Sequence, residues 1–330
     1  MQKHSPLGNS RLYCPIQTYK DEVFFSLVDY RNSRFTSENF DKIIEFYDSF
    51  KNRDDLIEWM KERPKGVANI YEVDGDNEIT VVIPTADFNG KYAKECRENI
   101  FKGLRMIFVE SGGREDFYFN FAHNCNIGIR KAIEYNPKWI IVSNDDVISN
   151  DEVSELKYSL LALNPDREMI CFTCTQGIYQ SRLASISSRT IRRRIILTLL
   201  GMKEMRRLPL EKKFGIRFII GSTLRPYKLI YRPVVQVMYF GSFGIFSSTL
   251  IKKYGSRLFD ETYVNGTEDI DLSWRIKQDG IESKCIDYQI DGIIGGTIGT
   301  YNLTRRVRGL VNDCYLNLKI ERGEFKLFTD

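Results

Sequence analysis

The chain has 330 residues, of which 42% are hydrophobic and 28% charged, and its formal net charge is +4 at pH 7. That length supports a sizeable core, as one large domain or two modest ones. Only two histidines are present, His4 and His123, which nearly excludes a histidine-based hydrolase or a multi-histidine metal site. The seven cysteines, an odd number, favour a reduced compartment over a disulfide framework. No apolar run approaches the roughly 18 residues of a membrane span, and the first residues lack a secretory signal, so we expect a cytoplasmic protein.

Residues 1–78 carry no chemical motif, and we expect them to form a helical N-terminal extension packed on the main domain. Apolar residues recur on one helical face after a cap at Ser37 or Asn39. A second helix begins near Asp54 and ends before Pro64.

From residue 79 onward, strands and helices alternate. The predicted elements are a strand at 79–83, a helix at 91–103, a strand at 105–110, a helix at 119–135 and a strand at 139–143. These spacings are typical of right-handed βαβ units. We therefore expect an α/β fold with a Rossmann-like, mixed but mainly parallel sheet that is flanked by helices.

Each of the three predicted strands ends in polar residues. These are Thr85 and Asp87 after the first strand, Glu110 after the second, and Asn144, Asp145 and Asp146 after the third. The carboxyl ends of parallel strands share one edge of the sheet, where open α/β sheets bind ligands. The simpler alternative for the last group is a polar turn. No G-x-G-x-x-G follows the first strand and no P-loop sequence occurs. The glycine-rich loops that bind phosphate in dinucleotide-binding and P-loop proteins are therefore missing, which argues against both kinds of site. Two carboxylates facing a diphosphate require Mg²⁺ or Mn²⁺ between them.

A basic segment follows between Arg182 and Arg232, with fourteen Lys and Arg residues against Glu204 and Glu211. Residues 189–217 within it combine an apolar helical stripe with flanking arginines. Three interpretations stay open: a helix resting on an anionic membrane, a nucleic-acid patch, and a solvated helix packed on the sheet. The nucleic-acid interpretation is the least favoured, and the first, the membrane-resting helix, would make the protein peripheral at a membrane.

Further along, Gly241 and Ser242 lie in an apolar run, where glycine suggests the close approach of a ligand or strand. Glu268, Asp269 and Asp271 fall in the first turn of a helix that continues through Trp274 and Arg275. Acids there are also explained by simple helix capping. An amphipathic helix over 304–320 begins with Arg305, Arg306 and Arg308.

Five short segments in this order resemble family-2 glycosyltransferases of the GT-A fold. They are Ile83-Pro84-Thr85, Val109-Glu110-Ser111-Gly112, Asn126-Ile127-Gly128, Asn144-Asp145-Asp146 and Thr267-Glu268-Asp269. The resemblance covers residues 79–281, with a basic insertion at about 182–232, and leaves 282–330 as a C-terminal segment with an amphipathic helix.

The resemblance implies a metal-dependent, inverting transfer of one sugar from a nucleotide-diphosphate sugar to a glycan, lipid-linked or protein acceptor. In that scheme Asp146 binds the metal, and Asp269, beside Glu268, takes the proton from the acceptor hydroxyl. The nucleotide sugar would be lined by Pro84, Thr85, Asp87, Glu110, Asn126, Asn144 and Asp145. Residues expected at the acceptor or diphosphate are Gly241, Ser242, Trp274, Arg275 and Arg305. Like charges around Asp269 should raise its pKa.

Two departures from the family pattern keep alternatives open. Asn144 replaces the first acid of the D-x-D element, and no histidine follows His123. A GT-A-fold nucleotidyltransferase is one alternative, although the glycine- and arginine-rich loop expected after the first strand is absent. A non-catalytic, degenerate transferase that acts as a binding protein is the other.

Overall fold

The computed structural model describes residues 27–111, 117–173, 177–184, 207–216, 218–224, 235–293 and 303–324. The strands are β1 (Asn69–Val73), β2 (Asp76–Thr85), β3 (Leu104–Glu110), β4 (Trp139–Ser143), β5 (Val147–Ser149), β6 (Ile170–Thr173), β7 (Gly177–Ala184), β8 (Phe218–Leu224), β9 (Val235–Tyr239), β10 (Phe243–Ser247), β11 (Ser283–Ile286) and β12 (Ile290–Gly292).

The helices are α1 (27–35), α2 (Phe40–Asp48), α3 (Arg53–Glu62), α4 (Lys91–Glu95, continued by a π-helix at Cys96–Ile100), α5 (Phe121–Ile133), α6 (Val153–Leu161), α7 (Arg207–Lys213), α8 (Ser248–Tyr254), α9 (Glu268–Gln278), α10 (Leu303–Arg308) and α11 (Leu310–Glu321). Together these elements make a mixed α/β fold, compatible with a Rossmann-like arrangement. Its centre is a seven-stranded sheet in the order β1-β3-β2-β4-β10-β6-β11.

Strands β2, β3 and β4 form the parallel part of the sheet. Thr85 lies opposite Glu110, and Val82 lies opposite Val142, so the three carboxyl ends share one edge. The predicted strand at 139–143 is present as β4, and all five of its residues are buried, so it is covered on both faces of the sheet. The shared edge predicted from the sequence is therefore present.

Helix α5 packs directly on this parallel part. A Cβ atom at Gly128 would lie 2.2 Å from Cγ1 of Val82 and 3.0 Å from Cγ2 of Val109. Real side chains do not tolerate such contacts, so the glycine lets helix and sheet approach closely. The packing of α5 on the sheet therefore explains the glycine at position 128 without a ligand.

The sheet is mixed, as predicted, but it is not mainly parallel. Strand β10 pairs antiparallel with both β4 and β6, and β1 pairs antiparallel with β3. Antiparallel pairs are consequently as frequent as parallel ones. Strands β1 and β2 begin inside the segment that was predicted as a helical extension, and β11 lies in the predicted C-terminal segment. The central sheet therefore contains strands from both of these segments.

The extension and the C-terminal helices share one hydrophobic cluster. Phe46 and Trp59 from the extension, Trp274 from α9, and Val311 and Leu318 from α11 belong to it. The hydroxyl of Tyr47 also donates to the carbonyl oxygen of Val307 over 2.7 Å. This helical layer lies beside the carboxyl edge of the sheet through α9 and α10.

The single helix predicted over 304–320 is divided into α10 and α11 by Gly309. Helix α11 is also buried over most of its surface, so it is a core helix and not an amphipathic one. The difference arises because α11 packs against α3 and shares the hydrophobic cluster with Trp274 of α9.

Residues 185–206, which contain most of the predicted basic helix, lie outside the described residues. The end of the predicted basic helix is described and forms α7 with the residues after it. It packs on the protein interior, because Leu210 and Phe214 belong to the hydrophobic cluster of the helical layer. Lys213 donates to the carbonyl oxygen of Tyr47 over 2.9 Å. In the described part of the chain, no helix has the length and apolarity to cross a membrane.

Candidate functional site

A cleft of about 360 Å³ opens at the carboxyl ends of β2 and β4. Pro84, Thr85, Asn144, Asp145 and Asp146 line it. The Thr85 hydroxyl donates to Oδ2 of Asp145 over 2.7 Å, so a hydrogen bond joins the ends of the two strands directly. Five of the residues predicted for the nucleotide sugar and metal therefore meet in one place.

The two adjacent carboxylates can both face this cleft because β4 ends before them, at Ser143. Asp145 is 6% exposed and Asp146 8%. The main chain of Asp146 is fixed as well, since its carbonyl oxygen accepts the Ile293 N–H over 2.7 Å. No group of three His, Cys, Asp or Glu side chains arranged for a metal occurs among the described residues. Any cation here would need ligands from substrate and water besides these two acids.

Two cationic side chains from the helical layer also line the cleft. Arg305 and Arg308 of α10 both line it, whereas Arg306 does not. Nη2 of Arg308 also donates to the carbonyl oxygen of Ser37 over 2.9 Å and lies 3.5 Å from Oε1 of Glu38. The cleft lining thus combines arginines with carboxylates, a combination suited to a ligand that carries anionic groups beside a cation.

Aromatic side chains form the remaining wall. They are Phe35 of the extension and Phe117, Phe119 and Phe121, which precede or begin α5. Phe35 is buried, whereas Phe117 is 55% exposed. A wall of this kind can hold a flat or apolar part of a ligand by stacking and burial.

Asp87 and Glu110, which were predicted to line the nucleotide sugar, lie beside the cleft and do not line it. Asp87 is exposed, and its Oδ1 accepts the Asn89 N–H over 2.8 Å, as in a turn. Oε2 of Glu110 accepts the Phe88 N–H over 2.7 Å. The ring of Phe88 in turn stacks on Tyr71 at 4.4 Å. Both acids therefore shape the loop after β2.

Asn126 is fully buried behind the cleft. Its side-chain amide donates to the carbonyl oxygen of Phe259 over 2.8 Å and accepts the N–H of the same residue over 3.0 Å. It also donates to Glu261, which pairs with His123 over 2.8 Å. The amide consequently anchors the segment that leads to α9 and does not face the cleft.

Trp274 and Arg275 also lie away from the cleft. Trp274 is 2% exposed within the hydrophobic cluster of the helical layer. Nε of Arg275 pairs with Oδ1 of Asp271 over 2.8 Å, and its Nη2 donates to the carbonyl oxygen of Leu258 over 2.7 Å. The structure does not bring these two residues, predicted as acceptor or diphosphate contacts, to the cleft: Trp274 packs in the hydrophobic cluster, and Arg275 is bound to Asp271 and Leu258.

Asp269 reaches the strand ends through the turn before β10. The Gly241 N–H donates to the carboxylate of Asp269. The next residue, Ser242, accepts the Asn144 N–H at its carbonyl oxygen over 2.8 Å. Gly241 has a φ of 56°, a conformation that suits glycine. This turn connects the predicted base to the predicted metal site, although Asp269 and Glu268 do not line the cleft itself.

Burial raises the pKa of both predicted catalytic acids. For Glu268, which is 6% exposed, the neighbouring charge of Asp269 raises the pKa further. For Asp269, burial also dominates, while hydrogen bonds from the N–H groups of Ile270 and Gly241 limit the increase. Oε2 of Glu268 accepts the Gly266 N–H over 2.7 Å. The direction predicted for Asp269 is confirmed, but its main cause is burial, whereas the sequence indicated like charges.

The raised pKa of Glu268 makes folding stability depend on pH. The folded protein holds this proton more tightly than the unfolded chain does, so stability falls as pH rises from the ordinary glutamate pKa of about 4.3 to the raised value. Glu268→Gln keeps an acceptor for Gly266 and removes the titration. We expect E268Q to gain on the order of 1 kcal/mol over the wild type near pH 8.5 and little near pH 5. Urea unfolding at both pH values measures this, and an equal difference at the two would contradict it.

The sequence did not indicate that the extension forms part of the cleft. Phe35, Thr36, Glu38 and Arg63 line it together with Arg308. The alternation of Phe117, Phe119 and Phe121 is visible in the sequence and could have indicated an aromatic wall. Nothing local marks Arg63, which ends α3 and contacts residues more than 50 positions away.

Comparisons with known proteins assign no family. No model of a protein family matches the chain, and a search of curated proteins finds no match.

Proposed function

We propose that the protein is a metal-dependent, inverting glycosyltransferase with a GT-A-type fold, similar to family 2. It would move one sugar from a nucleotide-diphosphate sugar to an acceptor hydroxyl on a glycan, lipid or protein. The observation that carries the proposal is the cleft at the parallel strand ends. There Asp145 and Asp146 line the same cleft as Arg305 and Arg308, and the turn at Gly241 leads to the half-buried carboxylate of Asp269.

The donor groups at this edge fit a hard divalent cation. Carboxylate oxygens are the ligands that Mg²⁺ and Mn²⁺ prefer, and Mg²⁺ in particular is commonly held by one or two carboxylates, with water and substrate phosphates completing its shell. Asp146 would hold the ion, and Asp145, which already accepts the Thr85 hydroxyl, would support it. When bound, such an ion offsets the charge of a leaving diphosphate.

Other side chains would bind the donor and transfer the proton. Arg305 and Arg308 place positive charge where a diphosphate would leave, and the aromatic wall offers surface for the nucleoside. Asp269, ionised near neutral pH, accepts the proton of the acceptor hydroxyl as that oxygen attacks the anomeric carbon. Because attack and departure occur on opposite faces of that carbon, its configuration inverts. Glu268, with its further raised pKa, stays protonated and supports the turn before α9.

Nucleotide-sugar turnover tests the proposal. The protein is incubated with Mn²⁺ and a panel of nucleotide sugars that covers the common bases and sugars, with and without a mixture of hydroxyl acceptors. We expect nucleotide release from at least one donor, stimulation by acceptor, and loss of release after chelation. Absence of both binding and turnover for every donor with Mn²⁺ and Mg²⁺ would overturn the proposed function.

A further inference from the structure

One loop of the main domain supplies aromatic side chains to the cleft, and the N-terminal extension holds that loop. Residues Phe117–Phe121, called the aromatic loop below, present Phe117, Phe119 and Phe121 to the cleft. The loop joins the end of the segment after β3 to the start of α5, and Asn120 is the N-cap of that helix. The position of its backbone therefore decides where three of the cleft's aromatic side chains stand.

Arg63 of the extension holds that backbone. Its guanidinium donates to the carbonyl oxygens of Phe117, Tyr118 and Phe119 over 2.5, 3.4 and 3.3 Å. The side chain is oriented by Asn32, whose Oδ1 accepts the Nε–H over 3.0 Å. Arg63 is 3% exposed and itself lines the cleft. A buried, oriented arginine thus binds three successive carbonyls of one loop.

Other contacts complete the attachment to the extension. The Gly66 N–H donates to the carbonyl oxygen of Tyr118 over 2.9 Å, and the Tyr118 hydroxyl donates to Asp29 over 2.6 Å. On the far side, Asn265 accepts the Phe121 N–H over 2.9 Å. The aromatic loop is consequently clamped between the extension and the segment that leads to α9.

We propose that Arg63 is a positioning residue for the donor site: it fixes the aromatic loop so that the cleft is shaped before the nucleotide-diphosphate sugar arrives. This assignment rests on the proposed function. A preorganised wall lowers the cost of binding because its side chains need not be ordered by the ligand. The extension, which carries no chemical motif, thereby acquires a role in substrate binding.

Arginine suits this role and lysine does not. The planar guanidinium offers five donors in a fixed fork, whereas an ammonium group is a compact charge with three rotating donors. Arg63→Lys keeps the charge but cannot reach Asn32 and three carbonyls in the same geometry. The aromatic loop would then lose its fixed position while the extension stays folded.

Arg31 supplies the matched control. It also belongs to the extension, and it is a partly buried arginine whose Nη2 donates to the carbonyl oxygen of Ser49 over 3.0 Å and to Asp55 over 3.3 Å. These contacts lie entirely within the extension and do not involve the cleft. R31K therefore removes a comparable arginine without altering the aromatic loop.

The experiment measures binding of uridine diphosphate and guanosine diphosphate, each with Mn²⁺, together with thermal stability, for wild type, R63K and R31K. We expect R63K to weaken binding about tenfold, while R31K binds within about twofold of wild type and both lose thermal stability. If R63K does not fold, Asn32→Ala, which removes only the orienting acceptor, takes its place with the same expectation.

The outcomes separate the two proposals. Equal binding by R63K and R31K overturns the role of Arg63 and leaves the proposed function standing. If the donor panel identifies another base, the diphosphate of that base replaces these two. A wild-type protein that binds no nucleoside diphosphate with Mn²⁺ and turns over no donor of the panel overturns both.

Discussion

Asp269→Asn is expected to reduce the rate of sugar transfer by about 10²–10⁴-fold, the usual contribution of a positioned general base. The amide has nearly the shape of the carboxylate, so the turn at Gly241 should persist. Thermal stability should not fall, because the substitution removes a half-buried acid whose pKa is raised. Steady-state kinetics with an identified donor and acceptor measure the effect.

The pH profile gives this prediction a second readout. In the wild type, kcat/KM should rise with pH as the acid pair Glu268 and Asp269 titrates, with its acid limb above the ordinary aspartate pKa of about 3.9. D269N should lose that limb. Asp279→Asn, at the exposed C-terminal end of the same helix, is the control and should keep wild-type kinetics. Full transfer activity in D269N would remove Asp269 as the base and leave the cleft unaffected.

Lys319→Met is expected to cost about 3–5 kcal/mol of folding stability, the penalty for removing one partner of a buried ionic group. Nζ of Lys319 lies 2.5 Å from Oδ2 of Asp271 and 2.8 Å from Oδ2 of Asp260. Burial alone would lower the pKa of Lys319, but the two carboxylates outweigh it and raise the pKa. Without the ammonium, two acids would face each other between α9 and α11.

Denaturant unfolding of K319M against wild type measures this loss. Lys253→Met is the control: its ion pair with Asp279 is exposed, at 3.4 Å, and its removal should change stability by less than about 1 kcal/mol. Adding Asp260→Asn to K319M should restore part of the stability, because it removes the charge of Asp260, whereas Asp271 keeps its ion pair with Arg275. Similar losses in K319M and K253M would show that the buried network contributes little.

The sequence predicted the elements whose signal is local. Strand β4 is a continuous apolar run, and α9 combines an acidic first turn with Gly280, whose φ of 69° ends the helix. The shared edge of β2, β3 and β4 followed from their spacing. The same spacing also predicted that the ends of these strands meet near Asp145 and Asp146.

The remaining features depend on contacts between distant segments. Strand β1 is exposed along nearly its whole length, so no hydrophobic alternation marks it. Asn126 was expected at a ligand, yet it binds Phe259, 133 residues away. Arg63 contacts Phe119 over a separation of 56 residues. No window of sequence contains both partners of such contacts, so the side of the cleft built by the extension could not be predicted.

Nucleotide release from the panel of donors, measured with Mn²⁺ for wild type and Asp146→Asn side by side, tests the central claim most directly. We expect turnover of at least one nucleotide sugar by the wild type, a decrease of about 10²–10³-fold in D146N, and unchanged turnover in D279N. Turnover by D146N at the wild-type rate would contradict the assignment of the cleft as the donor and metal site.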